Sequence, residues 1–339
     1  MNFKKKHVLI LGAGISGLAV SYFLNKFKIK NTIIEKEGKA GGLLKSFKIK
    51  NYTFDNFIHV SHAKNSFVKK FFKKSSAYFN VKPKPNNLYK NTWIDHSPQF
   101  HLHPLSLLEK IKVIFSFLFR EKNKMFRLKN YENWLKGAYG NYFAENFPMK
   151  YTEKYWATKP KNMETSWIKL RMQEVNFIDM IRGAFSKAYK NTFYSQKMRY
   201  PKKGGYESFL RILKKNKNII YNCNLTNINL KKKQITFNNR TLSYTNLVTT
   251  IPLPEFIKLT QSKNKKLLNY KNKLRCTAGI IISIGLNSIK NLRTWFYIYN
   301  KDFKAARIYC PNRLSKNNCP KGKSSLQAEI FIDNKKKGK

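Results

Sequence analysis

The chain has 339 residues, 42% of them hydrophobic and 15% aromatic, which is ample for the cores of two domains and argues against a disordered chain. Lysine and arginine number 68 against 17 aspartates and glutamates, a formal net charge of +51. The lysines run from end to end and outnumber the arginines that dominate base and bidentate phosphate readout, so no specific nucleic-acid partner is expected.

No run approaches the roughly 20 consecutive apolar residues of a membrane span. The basic start followed by a short apolar run mimics a signal peptide but lacks a small-residue cleavage site, so a soluble, cytoplasmic chain is expected. Cys223, Cys276, Cys310 and Cys319 show no C-x-x-C pair and no zinc spacing, and no metal site is expected.

HVLIL at 7–11 reads as a buried parallel strand, GAGISG follows at 12–17, and a helix runs from Leu18 to about Phe27. A second strand, NTIIE, ends at Glu35, which completes one βαβ unit. A loop carrying Gly41 and Gly42 leads to the hairpin material FKIKNYTFDNF and then His59. From about 64 to 200 aromatic-rich helices are expected, at 64–74, 105–120, 130–146 and 166–188, separated by proline-bearing turns. MRYPKKGGYESFLRIL reads as turn, Gly-Gly, then helix. Strands return over 218–252, a charged helical stretch lies near 255–272, and TAGIIISIGL, TWFYIYN, ARIYC and LQAEIFI read as strands.

This order predicts an α/β fold (α+β overall): a Rossmann-like FAD/NAD(P)-binding domain with an inserted helical and mixed-sheet substrate domain. The expected boundaries are 1–63 and 201–256 for the nucleotide domain, and 64–200 and 257–339 for the rest.

Gly12-x-Gly14-x-x-Gly17 is a weak motif alone, but here it follows a strand, opens a helix and precedes an acid at the end of the next strand. Gly12 suits the tight turn, Gly14 the close approach of a pyrophosphate, and Gly17 the packing of helix on strand. The helix N-terminus offers unpaired N–H groups and a favourable dipole for phosphates. Glu35 stands where a carboxylate accepts ribose hydroxyls, which both NAD and FAD carry. The Gly41-Gly42 pair resembles the extension in glutathione-reductase-like flavoproteins and points to FAD.

The string VLILGAGISGLAVSYFLNKFKIKNTIIEKEGKAGGLLKSF resembles the N-terminus of the FAD-dependent amine oxidase superfamily, which includes protoporphyrinogen oxidases, phytoene desaturases and UDP-galactopyranose mutases. FDNFIHVSH, the YTEKYW…W…R block, FYSQKMRYPKKGGYESFL and LVTTIPLPEF are similar to the protoporphyrinogen-oxidase-like and mutase-like members of bacterial glycan gene clusters, in the same order.

The resemblance implies FAD held by Gly12, Ala13, Gly14, Ile15, Ser16 and Gly17 at the pyrophosphate, and by Glu35 and Lys36 at the ribose. It places Gly42, Leu43 and His59 toward the flavin, and the backbone of Leu225 at the adenine. It implies an FAD-dependent oxidoreductase that passes hydride from a small-molecule substrate, porphyrinogen or nucleotide sugar, to the flavin. The alternatives are a UDP-galactopyranose-mutase-like flavoenzyme and an inactive truncated remnant. Two departures stand out: Asn56, Phe57 and Ile58 replace the family's glycines before the histidine, and the C-terminal FAD segment of the family is not in this sequence, so truncation is expected.

No acid–base triad is found, and the catalytic candidates are His59 and Arg171. Trp167 and Arg171, four apart, are expected on one face of a helix, with Trp156 in the same block. His96, His101 and His103 read as packed or substrate-facing imidazoles. The basic amphipathic stretch 104–127 makes an anionic membrane surface a candidate peripheral partner.

Overall fold

A computed structural model describes residues 7–123, 130–168, 172–187 and 197–334. The chain divides into two compact units, the first comprising residues 1–49, 53–78 and 201–275, the second 50–52, 79–200 and 276–339. Residues 64–78 and 257–275 thus group with the nucleotide-type elements.

The first unit is built on a four-stranded sheet in which Asn246–Thr249, Val8–Leu11, Asn31–Ile34 and Ile219–Ile220 lie side by side in that order, all parallel. Val8–Leu11 is buried along its whole length, as a strand covered on both faces must be, which is why VLIL carries no alternation. The helix Ile15–Lys26 buries Gly17, Leu18 and Ser21. Ile10, Ile33, Leu18 and Leu210 form one core cluster of this unit, while Leu9, Leu11, Ile34 and Ile235 form another beneath the three-stranded meander Leu225–Asn229, Gln234–Phe237 and Arg240–Ser243. The 198–212 segment is the strand Met198–Pro201 followed by a 3₁₀ turn at Tyr206–Leu210, where an α-helix was expected.

The second unit carries a six-stranded mixed sheet in the order Thr277–Leu286, Ser324–Asp333, Arg307–Tyr309, Trp295–Ile298, Asn86–Tyr89, Thr92–Asp95. Two of these strands fall inside the stretch expected to be helical. NNLY opens on two asparagines, which strands disfavour, yet Asn86–Tyr89 pairs in parallel with Trp295–Ile298 and buries Asn87 and Tyr89, so long-range pairing overrides local composition.

The helices Leu107–Leu118, Tyr131–Tyr139, Asn141–Asn146, Pro148–Trp156 and Phe177–Phe185 supply an aromatic core that includes Phe117, Tyr139, Phe143 and Phe147. The expected helix 130–146 is broken at Gly140, whose φ of +78° and a would-be Cβ only 2.3 Å from the Ser116 carbonyl oxygen exclude other residues. The expected helix 166–188 is shorter as well. It starts at Phe177 because the Asn176 side chain caps it, accepting from Asp179 N at 2.7 Å.

Candidate functional site

The glycine loop between the first strand and the first helix is the best-defined site in the first unit. Gly12 turns the chain at φ +97°, and Gly12 N donates to the Ile34 carbonyl at 2.8 Å. A Cβ on Gly17 would lie 1.9 Å from the Gly12 carbonyl oxygen, so helix and loop approach closer than any side chain allows. Gly14 is the opposite case: a Cβ there would meet no protein atom within 4 Å among the described residues. The space above Gly14, at the helix N-terminus, suits a phosphate-bearing ligand.

Two further segments brace this loop. The Glu35 side chain, 8% exposed, accepts from Ala13 N at 2.6 Å through Oε2 and from Glu37 N at 2.9 Å through Oε1. Gly41 N donates to the Ala13 carbonyl at 2.9 Å, and Gly41 pairs with Gly14 as an isolated parallel bridge. Gly42 follows at φ +54°, 3.1 Å from the Gly14 Cα by its would-be Cβ, while Leu43 is exposed. Lys36 is exposed beside Glu35. Ahead of Leu225, Cys223 N donates to the Glu35 carbonyl at 2.9 Å and Asn222 N to that of Glu37, which carries the strand of Leu225 past the acid end of the site.

Glu35→Ala is expected to remove two charge-assisted bonds and lower stability by about 2 kcal/mol. Urea denaturation of the variant measures this, with Glu35→Gln, which keeps one acceptor oxygen, falling between the two.

His59 is partly buried, its Nδ1 donating to the Phe57 carbonyl at 3.1 Å and its ring 5.4 Å from that of Tyr206. Burial, with Asp55 nearby, pushes the Tyr206 hydroxyl up, so it stays protonated. Phe57 sits at φ +64°, so the residue that replaces a family glycine adopts a backbone conformation glycine favours. Sequence reasoning missed Thr250, whose hydroxyl donates to the Leu11 carbonyl at 2.8 Å and backs Gly12; the signal was its place just past the parallel strand Asn246–Thr249.

In the second unit a cavity of about 260 Å³ is lined by Tyr151, Tyr155, Trp156, Trp167, Tyr297 and Arg307, among others. Trp156 and Trp167 stand 6.2 Å apart between ring centroids. Trp167 lies in a turn, its Nε1 donating to the Glu164 carbonyl at 2.7 Å, and not on the helix expected for it. Arg171 lies outside the described residues, so its pairing with Trp167 is not described either. His96 also lines the cavity and bonds Asn87 Oδ1 at 3.2 Å. Burial, with His101 adding to it, pushes the imidazole down to about 3, so His96 is neutral. Among the described residues no three His, Cys, Asp or Glu side chains are grouped to hold a metal ion.

Residues 10–75 match the model of an NAD(P)-binding Rossmann-like domain. A 41-residue stretch is 51% identical to the mitochondrial protoporphyrinogen oxidase of Nicotiana tabacum, spanning 12% of this chain and only 8% of that enzyme. Among solved structures, that of reduced UDP-galactopyranose mutase superposes with a TM-score of 0.88 at 21% identity, covering 97% of this chain and 75% of the other. A protoporphyrinogen oxidase candidate from Exiguobacterium sp. 255-15 gives 0.74 at 15% identity, with 98% and 78% covered. Putrescine oxidase bound to putrescine gives 0.64 at 11% identity, with 96% and 76% covered. Residues 10–75 therefore match an NAD(P)-binding Rossmann-like domain, and the chain shares its fold with the solved UDP-galactopyranose mutase and putrescine oxidase.

Proposed function

We propose that the chain is an FAD-dependent oxidoreductase of the amine oxidase or protoporphyrinogen oxidase-like type, acting on a small-molecule substrate. The observation that carries this reading is the open space over Gly14, framed by the helix N-terminus, the Gly41-Gly42 pair and the Glu35 carboxylate. Bound FAD would supply the hydride acceptor.

The backbone of Gly12, Ala13, Gly14, Ile15, Ser16 and Gly17 would hold its pyrophosphate, with the first N–H groups of the helix directed at the phosphate oxygens. Glu35 has about four lone-pair sites and uses two on backbone N–H groups, which leaves acceptors for ribose hydroxyls. Lys36 would flank the ribose, the Leu225 backbone the adenine, and Gly42, Leu43 and His59 the flavin end.

The aromatic cavity of the second unit favours a second reading, a UDP-galactopyranose-mutase-like flavoenzyme acting on a nucleotide sugar. Flat rings around a small cavity suit a nucleobase by stacking. A peripheral contact with an anionic membrane is supported by the exposed Leu107, Leu108, Ile111 and Phe115 on a basic helix.

The visible absorbance spectrum of the purified protein, before and after addition of FAD, tests the cofactor. A bound flavin spectrum upholds the proposal, and a protein that stays colourless under saturating FAD overturns it in favour of an inactive chain. Anaerobic incubation of the loaded protein separates the readings. Bleaching of the flavin by a porphyrinogen or amine marks net hydride transfer, whereas tight UDP-sugar binding without bleaching marks the mutase-like chemistry.

A further inference from the structure

A second cavity, this one in the first unit, has a different chemistry. It measures about 780 Å³ and brings cationic side chains from well-separated segments to one place: Lys39, Lys48, Lys203, Arg211, Lys214 and Lys215. Glu207 is the one carboxylate among the lining residues. In a chain of charge +51 a basic surface is unremarkable, but a concave one organised around a buried acid is a different object.

Glu207 is mostly buried and is fixed from three sides. Its Oε2 accepts from Ser46 N at 2.8 Å and from Lys39 Nζ at 3.0 Å, and its Oε1 accepts from Lys214 Nζ. In return Glu207 N donates to Ser46 Oγ at 3.1 Å, and Ser46 Oγ donates to Asp55 Oδ1 at 2.6 Å. Burial pushes the Glu207 carboxyl up, but Lys214, the Ser46 backbone and Lys39 outweigh it and hold the group below the usual range, hence ionised.

Two ammoniums are thereby held in place around one negative charge, while Lys48, Lys203, Arg211 and Lys215 have no carboxylate partner among the lining residues. Arg211 donates one Nη2 bond at 3.2 Å to the Lys74 carbonyl at the end of the helix Ser66–Ser75, which anchors its guanidinium. The Ser75 hydroxyl, fully buried in the same wall, has no hydrogen-bond partner among the described residues.

We propose that this cavity is a binding site for a phosphate-bearing anion, separate from the glycine loop. Four cations without a carboxylate partner in the lining, spaced around a concave wall, suit a group with several charged oxygens, and Arg211 is the residue whose planar fork can bind two of them at once. The anion comes either from a soluble phosphate ester or from a phospholipid headgroup.

Inorganic pyrophosphate is the probe, titrated calorimetrically at about 0.15 M ionic strength, where screening over about 8 Å suppresses the diffuse field of the surface. Three proteins are compared: the wild type, the pocket variant Lys48→Ala/Lys203→Ala/Lys215→Ala, and a charge-matched control, Lys26→Ala/Lys30→Ala/Lys232→Ala. All six lysines are exposed, and none of the control set lines the cavity. Any binding at the glycine loop is common to all three and cancels.

The expected result is an affinity at least tenfold weaker in the pocket variant and within twofold of wild type in the control. Equal losses in both variants, or no loss in either, overturn the proposal. Where the site holds, displacement of pyrophosphate by phosphatidylglycerol vesicles but not by phosphatidylcholine vesicles assigns a headgroup, and retention assigns a soluble ester.

Discussion

Gly17→Ala is expected to unfold the first unit, because its new methyl carbon would sit 1.9 Å from the Gly12 carbonyl oxygen, a backbone atom with nowhere to go. Relief requires the helix Ile15–Lys26 to lift from the strand Val8–Leu11, which opens the core around Leu18 and Ile10. Overpacking of ordinary side chains costs about 1–3 kcal/mol, and a clash with fixed backbone should exceed that range. Gly14→Val is the informative partner. Its backbone, at φ −70° and ψ 178°, is ordinary for valine, and its side chain enters open space, so thermal stability should hold while FAD binding is lost. Differential scanning calorimetry and flavin fluorescence titration together read both outcomes. Equal stability losses in the two variants would mean that the space over Gly14 is not a ligand cradle.

Glu329→Leu carries the second large effect. Glu329 is fully buried, and its Oε2 accepts from Arg307 Nε at 2.8 Å and from Nη2 at 2.6 Å. Burial opposes the charge on Arg307, but Glu329 outweighs it and raises the guanidinium further, so Arg307 stays a cation. Removing the acid alone strands a buried cation and is expected to lower stability by about 3–5 kcal/mol. The double variant Arg307→Met/Glu329→Leu should recover more than half of that loss, because desolvating the pair offsets much of its attraction. Urea midpoints for both proteins check this, and a double variant as unstable as the single one refutes it. The Arg307 guanidinium also lies 5.8 Å over the Tyr155 ring in the aromatic cavity, so the double variant tests ligand capture separately from folding.

The glycine loop was legible in the sequence because much of its constraint is local: backbone conformation selects glycine at 12 and close approach selects it at 17 whatever else the chain does. Glu35 was legible by its spacing from that loop. Its grip on Ala13 and Glu37 was not, since a strand-end acid looks the same whether it faces water or a neighbouring backbone. The strands at 86–95 were hidden for another reason. Asn86 and Asn87 have little strand preference, and their partners in Trp295–Ile298 lie some two hundred positions away. Trp167 was misread because proximity in sequence to Phe177 suggested one helix, where the Asn176 cap starts a new one. Glu207 and Lys203 lie in the block FYSQKMRYPKKGGYESFL, but nothing in it marked the cluster, because the lysines that Glu207 organises are indistinguishable by composition from the many that merely face solvent.

The parallel pairing of Val8–Leu11 with Asn246–Thr249 has a consequence for biosynthesis. Thr245 reaches back 238 positions to hydrogen-bond the His7 carbonyl, so the central strand of the sheet waits for its second neighbour until most of the chain has been made. At about 5–20 residues per second that delay is roughly 10–50 s. Throughout it, a wholly apolar VLIL segment presents an open edge on the nascent polypeptide, the kind of surface that recruits chaperones or other chains. The helices of the second unit from Leu107–Leu118 to Phe177–Phe185 are made before that strand arrives, but four of the six strands of its sheet, from Thr277–Leu286 onward, follow it, so that sheet is completed later still.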